Sequence, residues 1–106
     1  MRIMLLTKAI RSTLPKLRAT EGLKDPVVRV KFFSPYSGWR WYATEFDGED
    51  TFYGYVCGME QEYGYFSLSE LQASKFRGCP AVERDIHFTP CPLSEALKKD
   101  GYDAPY

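Results

Sequence analysis

The sequence has few cysteines, a single histidine and no long apolar run. Its three cysteines are Cys57, Cys79 and Cys91. Because their number is odd and their spacing is far from C-x-x-C, the pattern predicts neither a disulfide framework nor a zinc ribbon. The apolar start, residues 1–6, is too short for the core of a signal peptide or for a membrane span. We therefore expect a cytoplasmic protein with no membrane role.

Sequence motifs for catalysis and cofactor binding are also missing. The glycines between residues 54 and 64 stand too far apart to cradle a phosphate, and neither G-x-G-x-x-G nor a P-loop occurs, so no cofactor is predicted. The lone His87 has no nucleophile signature near Cys79 or Cys91, and each of these cysteines precedes a proline. We predict no catalytic residue and expect His87 to be a polar strand residue.

The residues that are present have the composition of a folded domain, with the charges segregated along the chain. The 106 residues, 44% hydrophobic and 26% charged, suit one domain over residues 1–106 and exclude a disordered chain. The net charge is zero, but residues 1–40 carry nine Lys and Arg against two acids, and residues 41–70 carry seven acids and no base. Each block is a candidate binding surface.

The middle of the chain is predicted to form an antiparallel meander. The first strand begins at Val27, the second covers Trp39–Phe46 and the third covers Phe52–Cys57, with a tight turn over residues 47–50. In the first strand apolar even positions alternate with basic odd positions, which predicts one buried and one basic face. A short further strand is predicted at Tyr65–Phe66.

Short helices are predicted on either side of the meander. Thr7 can cap a first helix, Ser67 and Glu70 fit a capping box for a second, and residues 93–99 are a third. Residues 82–88 alternate as a later strand. Because strands and helices do not alternate as βαβ units, we expect an α+β domain with a mainly antiparallel sheet and two to three short helices.

The central block resembles a family of small bacterial proteins of unknown function. The likeness is carried by residues 30–33, Trp39 and residues 41–56, of which 41–56 are the most specific part, with 62–71, 82–85 and the flanks 5–7 and 89–95. Members of that family are frequent on plasmids, integrative elements and phages. The resemblance implies a mobile genetic element as the context, and it implies no catalytic residue.

Four carboxylates stand within six residues around a glycine: Glu45, Asp47, Glu49 and Asp50. Such a group is open to three interpretations: a site for Mg²⁺ or Ca²⁺, a solvated hairpin turn, or an acidic loop that binds a partner. The D-x-D-x-D-G order with a closing glutamate is missing, so we do not predict a metal site.

Aromatic residues are crowded in the same region. Thirteen of the seventeen lie between Phe32 and Phe66, and in the predicted second and third strands rings fall on both faces. Some must form the core, whereas an exposed set of Tyr and Trp would provide a protein-contact surface. The candidates for that surface are Trp39, Trp41, Tyr53 and Tyr55.

Basic residues with aromatic neighbours are open to a nucleic-acid interpretation, because bases neutralise phosphates and rings stack on unpaired nucleotides. The residues concerned are Arg11, Lys16, Arg18, Arg29, Lys31 and Arg40. The objection is that Arg29 and Lys31 can instead face Glu45 across the sheet.

The leading prediction is a non-enzymatic accessory protein of a bacterial mobile genetic element. It would bind a host or element protein through the acidic turn and the aromatic surface, for example as an inhibitor of a restriction or CRISPR complex. The alternative is a nucleic-acid-binding accessory protein that uses the basic N-terminal segment. The second alternative is a metal-dependent hydrolase.

Overall fold

A computed structural model describes residues 4–106, and most of its regular structure is one antiparallel sheet; Met1 to Ile3, part of the apolar start, lie outside the described residues. The helices of this part of the chain are α1 (Lys8–Thr13), α2 (Leu68–Ala73) and α3 (Leu93–Lys99). Its strands are β1 (Val27–Val28), β2 (Val30–Phe33), β3 (Arg40–Phe46), β4 (Thr51–Cys57), β5 (Gln61–Ser67), β6 (Lys75–Phe76), β7 (Cys79–Pro80), β8 (Glu83–Arg84) and β9 (Cys91–Pro92). No helix among these residues is long and apolar enough to cross a membrane.

The main sheet has the order β5-β4-β3-β2-β8, and every neighbouring pair in it is antiparallel. Consecutive strands β2 to β5 lie side by side, so the predicted meander and the mainly antiparallel α+β character are confirmed. The sequence under-predicted β5, which runs over Gln61–Ser67 and pairs with the whole length of β4. The β3–β4 ladder is interrupted by a register shift between Ala43 and Glu45.

The first predicted strand is broken at Arg29. β1 pairs with β9, whereas β2 pairs with β3. Val28 therefore packs against α3, on the opposite side of the sheet from Val30 and Phe32. The prediction of one uninterrupted apolar face was wrong here, since the chain changes partner strand between the two segments.

Helices cover both faces of the main sheet. On one face Phe32, Phe46 and Phe52 pack with α1 and α2. On the other face Tyr42 and Tyr55 pack with α3. Because both faces are largely covered, little room is left for an exposed aromatic surface.

The predicted helix starts are confirmed. Thr7 Oγ1 accepts a hydrogen bond from the backbone N–H of Ile10 at 3.1 Å. Ser67 Oγ accepts one from the N–H of Glu70 at 3.0 Å. Each bond satisfies an N–H of the first helical turn that has no partner within the helix.

The later strand was predicted too long. Only Glu83–Arg84 pair with β2, and the chain then turns, with Phe88 N–H donating to Asp85 O at 3.2 Å and His87 N–H to Asp85 Oδ1 at 2.9 Å. The aspartate offers the backbone a local alternative to the ladder, which apolar alternation does not register. His87 accordingly lies on an exposed turn rather than in a strand.

Candidate functional site

Two of the four acidic-turn carboxylates are engaged by backbone close to the turn. Asp47 Oδ1 accepts hydrogen bonds from the N–H groups of Glu49, Asp50 and Thr51 at 2.8 to 3.0 Å. These bonds hold the pKa of Asp47 below its ordinary value. The carboxylate of Asp50 accepts two hydrogen bonds from Ser69, at the start of α2. The backbone N–H of Ser69 donates at 2.8 Å and its side-chain hydroxyl at 2.7 Å.

Glu45 is not part of an exposed loop, which corrects the sequence prediction. The residue is 3% exposed. Its carboxylate accepts the backbone N–H of Arg18 at 2.7 Å, the N–H of Thr20 at 2.9 Å and the Thr20 hydroxyl. Arg18 has a positive φ of 74°, so the loop bends tightly around this carboxylate. Glu45 thus anchors the loop between α1 and β1 to the sheet.

The acidic group therefore does not converge on one point. Three of the carboxylates bind different backbone segments, namely those of Glu45, Asp47 and Asp50. Asp47 and Glu49 are exposed. Within residues 4–106 there is no group of three or more His, Cys, Asp or Glu side chains arranged to hold a metal ion.

The predicted aromatic surface is divided between the two faces of the sheet. Trp41 is half-buried against the core beneath α1 and α2, and Tyr55 is buried against α3. The ring of Trp39 lies against Gly58 and leaves no space for a side chain there. Only Tyr53 lines an open cleft.

Sheet register explains why tyrosines gather beside Tyr53. Leu68, directly after β5, donates its N–H to the carbonyl of Asp50, directly before β4, at 2.8 Å. The first cross-strand pair of this ladder, Thr51 with Ser67, is therefore a non-hydrogen-bonded pair. The two kinds of pair alternate, so the other odd-numbered pairs are of the same kind, and their side chains approach most closely.

The two middle odd-numbered pairs hold tyrosines on both strands. Tyr53 faces Tyr65, and Tyr55 faces Tyr63. The ring centroids of each pair are 5.0 Å apart in an edge-to-face arrangement, and those of Tyr53 and Tyr63 are 6.1 Å apart and nearly parallel. Tyr63 and Tyr65 are 39% and 64% exposed. They present an accessible aromatic surface next to a buried ring.

This surface forms the floor of a cleft of about 590 Å³, which we call the tyrosine cleft. Its tyrosines are Tyr53, Tyr63, Tyr65 and Tyr106. Residues 18–24, held by Glu45, form the opposite wall. Burial, and then the hydrogen bond to Asp25, raise the pKa of Tyr106 to about 12, so its hydroxyl stays a neutral donor at physiological pH.

The basic residues do not form one continuous footprint. Arg11, Lys16 and Arg18 are exposed, but the guanidinium of Arg11 donates to a carbonyl of the acidic turn and that of Arg18 is paired with Glu21 at 3.0 Å. Arg29 lies half-buried, and its Nε has no hydrogen-bond partner within the described residues.

The other two predicted bases belong to an internal ion-pair cluster. Lys31 is 8% exposed and lies 2.8 Å from Asp100 and 3.5 Å from Asp85. The Nε of Arg40 is 3.9 Å from Asp100, which also accepts the hydroxyl of Tyr42 at 2.5 Å. The expected pairing of Lys31 with Glu45 is replaced by pairs with acids near the C-terminal end, so Lys31 is unavailable to phosphates.

Residues 5–100 match a protein family described as "protein of unknown function (DUF2958)". The chain belongs to the DUF2958 family. The central block of the sequence resembles a family of unknown function, and this match confirms that resemblance. Neither a curated protein nor a solved structure matches the DUF2958 chain.

The sequence analysis of this DUF2958 chain found only part of the tyrosine cleft. It selected Tyr53 and Tyr55 but not Tyr63, Tyr65 and Tyr106. The signal for two of them was present, because tyrosines at odd positions in residues 61–67 alternate with Glu62, Gly64 and Phe66. Tyr106 carries no such pattern, since it enters the cleft through contacts far apart in the sequence.

Proposed function

We propose that this DUF2958 chain is a non-enzymatic protein-binding accessory protein of a bacterial mobile genetic element, acting in the cytoplasm through the tyrosine cleft. The observation that carries the proposal is the exposure of Tyr63 and Tyr65 beside half-buried Tyr53 on a face otherwise covered by α3. Tyrosine is enriched at the energetic centres of protein interfaces, because its ring buries area and its hydroxyl keeps a polar partner.

In this proposal the acidic turn contributes less to partner binding than we predicted from the sequence. Asp47 and Asp50 hold the backbone, and Glu45 anchors the loop that walls the cleft. Two of the four, Asp47 and Glu49, are exposed and can meet a partner directly. The main contribution of the group is to shape the cleft and the β3–β4 turn.

The mobile-element context is part of the proposal and comes from the sequence resemblance. In that context the partner would be a host or element protein, and an inhibitor of a restriction or CRISPR complex is one concrete form of this function. A nucleic-acid partner is less favoured, because Lys31 and Arg40 are committed to Asp100 and Arg18 to Glu21.

Affinity capture from a lysate of the bacterial host, with identification by mass spectrometry, tests the proposal. We expect the double variant Tyr63→Ala/Tyr65→Ala to capture at least about tenfold less of a protein that the unmodified chain captures. A loss of this size is typical of hot-spot residues. The matched control is Tyr36→Ala, which removes a 50% exposed tyrosine that stacks on Phe76 outside the cleft. It should capture the same protein in full.

Two results would overturn the proposal. One is equal capture by the unmodified chain and the double variant, which would place the contact elsewhere. The other is capture that disappears after nuclease treatment of the lysate, which would make nucleic acid the partner. Circular dichroism of each variant shows that a loss of capture does not come from unfolding.

A further inference from the structure

Strand β5 forms an uncovered edge of the main sheet. In the described part of the chain no strand lies on its far side, and Gln61–Ser67 form one of the longest strands of the sheet. Four of its first five residues are exposed, and Gly64 is half-buried. Long edge strands present unpaired backbone groups and are templates for a further strand.

The register of β4 and β5 determines which backbone groups of β5 are free to pair with a further strand. Because the odd-numbered pairs of β4 and β5 are non-hydrogen-bonded, the odd-numbered residues of β5 direct N–H and C=O away from β4, and the even-numbered residues direct theirs toward it. The outward N–H and C=O groups belong to Gln61, Tyr63 and Tyr65, because the carbonyl of Ser67, the N-cap of α2, belongs to that helix. Those of Tyr63 and Tyr65 therefore lie on the same residues whose rings line the tyrosine cleft.

The charged side chains on this strand and in the turn before it are acidic. Glu60 and Glu62 are exposed, and no Lys or Arg occurs between Arg40 and Lys75. Two bases line the adjoining cleft: Arg18, which is paired with Glu21, and Lys24, whose Nζ lies 5.8 Å from the centroid of the Tyr106 ring. A strand that lies along β5 would therefore place one of its faces beside acids and the other beside tyrosine rings.

We propose that β5 binds an extended basic segment of a partner protein as an additional strand of the sheet. The outward N–H and C=O groups of β5 pair with the backbone of that segment. Its basic side chains meet Glu60 and Glu62, and its alternate side chains cover Tyr63 and Tyr65. This mode of binding rests on the protein-binding function proposed above and specifies the chemistry of the partner.

Amide hydrogen exchange of the full chain, followed by NMR, tests this mode. In the free protein the amides of Gln61, Tyr63 and Tyr65 should exchange faster than those of Glu62 and Gly64. A seven-residue peptide of alternating lysine and valine, matched to the length of β5, should slow the odd-numbered amides by about tenfold or more at saturation. A peptide of alternating glutamate and valine should not.

A matched pair of variants isolates the backbone contribution. Gln61→Pro removes an outward N–H without breaking a bond to β4, and Gln61→Ala keeps that N–H. We expect the proline variant to bind the basic peptide about 2- to 12-fold more weakly than the alanine variant, the effect of one hydrogen bond. Glu62→Lys should weaken the basic peptide and strengthen the acidic one.

Several outcomes would overturn strand addition. One is that the basic peptide does not slow exchange of the odd-numbered amides, and another is that the acidic peptide slows it equally. A third is that exchange slows as protein concentration rises without any peptide while sedimentation shows a dimer. That result would assign the β5 edge to a second copy of the chain. If the tyrosine-cleft variants still lose their captured protein, the proposed function stands without this mode. If those variants capture normally, the proposed function itself fails.

Discussion

At the scale of single residues, Glu45 is the side chain that the tyrosine cleft depends on most. Its carboxylate is the acceptor for the N–H groups of Arg18 and Thr20, so removing it leaves two donors unsatisfied in a buried site. We expect Glu45→Ala to lower the free energy of unfolding by about 2 to 4 kcal/mol, and Glu45→Gln, which keeps one oxygen, by less. Urea unfolding at neutral pH measures both.

Glu49→Ala is the control for this prediction, because it removes an exposed carboxylate from the same acidic group. Its effect should stay within about 0.5 kcal/mol. If Glu45→Ala and Glu49→Ala cost the same, the carboxylate of Glu45 would not be holding the loop, and another contact would have to position the wall of the cleft.

At the scale of elements, a glycine pair in the middle of β4 and β5 allows a sharp test of strand packing. Gly54 lies opposite Gly64. A Cβ at Gly54 would come 1.9 Å from the backbone carbonyl oxygen of Tyr42, whereas at Gly64 it would meet nothing within 4 Å. Gly54→Ala must displace β3 from β4, so we expect a loss of about 3 kcal/mol or more or failure to fold.

Gly64→Ala is the matched variant on the facing strand. It should be neutral or raise the free energy of unfolding by up to about 1 kcal/mol, because alanine loses less conformational freedom on folding than glycine. Thermal unfolding of Gly54→Ala and Gly64→Ala measures this difference in stability. Equal stabilities would mean that the close approach of β3 and β4 at Gly54 does not occur in solution.

Much of the element order could be predicted from local patterns, but the candidate site could not. Caps such as Thr7 and Ser67 act within one helical turn, and the meander repeats with period two, so both are visible in a single stretch of sequence. Lys31 was assigned to an open basic face by strand alternation, and Glu45 to an acidic loop by its closeness to Asp47, Glu49 and Asp50. The partners of Lys31 and Glu45 lie about 25 to 70 residues away, which no local period encodes.

At the scale of the whole molecule, no ion pair within residues 4–106 joins the basic block, residues 1–40, to the acidic block, residues 41–70. Lys31 pairs with Asp85 and Asp100 from the last third of the chain, and Glu45 binds backbone rather than a basic side chain. Asp100, directly after α3, joins that helix to β2 and β3. One carboxylate therefore connects the N-terminal and C-terminal parts of the fold.

This connection predicts how stability depends on pH. Burial opposes ionisation of Asp100, but the hydrogen bonds from Lys31 and Tyr42 outweigh it and hold the pKa of Asp100 below its ordinary value of 3.8. A lowered folded-state pKa means that the contribution is complete above that ordinary value and is lost as pH falls through the folded-state pKa. Asp100→Asn should therefore lower the free energy of unfolding by about 2 kcal/mol or more near neutral pH, and the gap from the unmodified chain should narrow below about pH 4. Urea unfolding from about pH 7 to about pH 3 measures that gap, and a constant gap over the whole range would contradict the ion-pair role of Asp100.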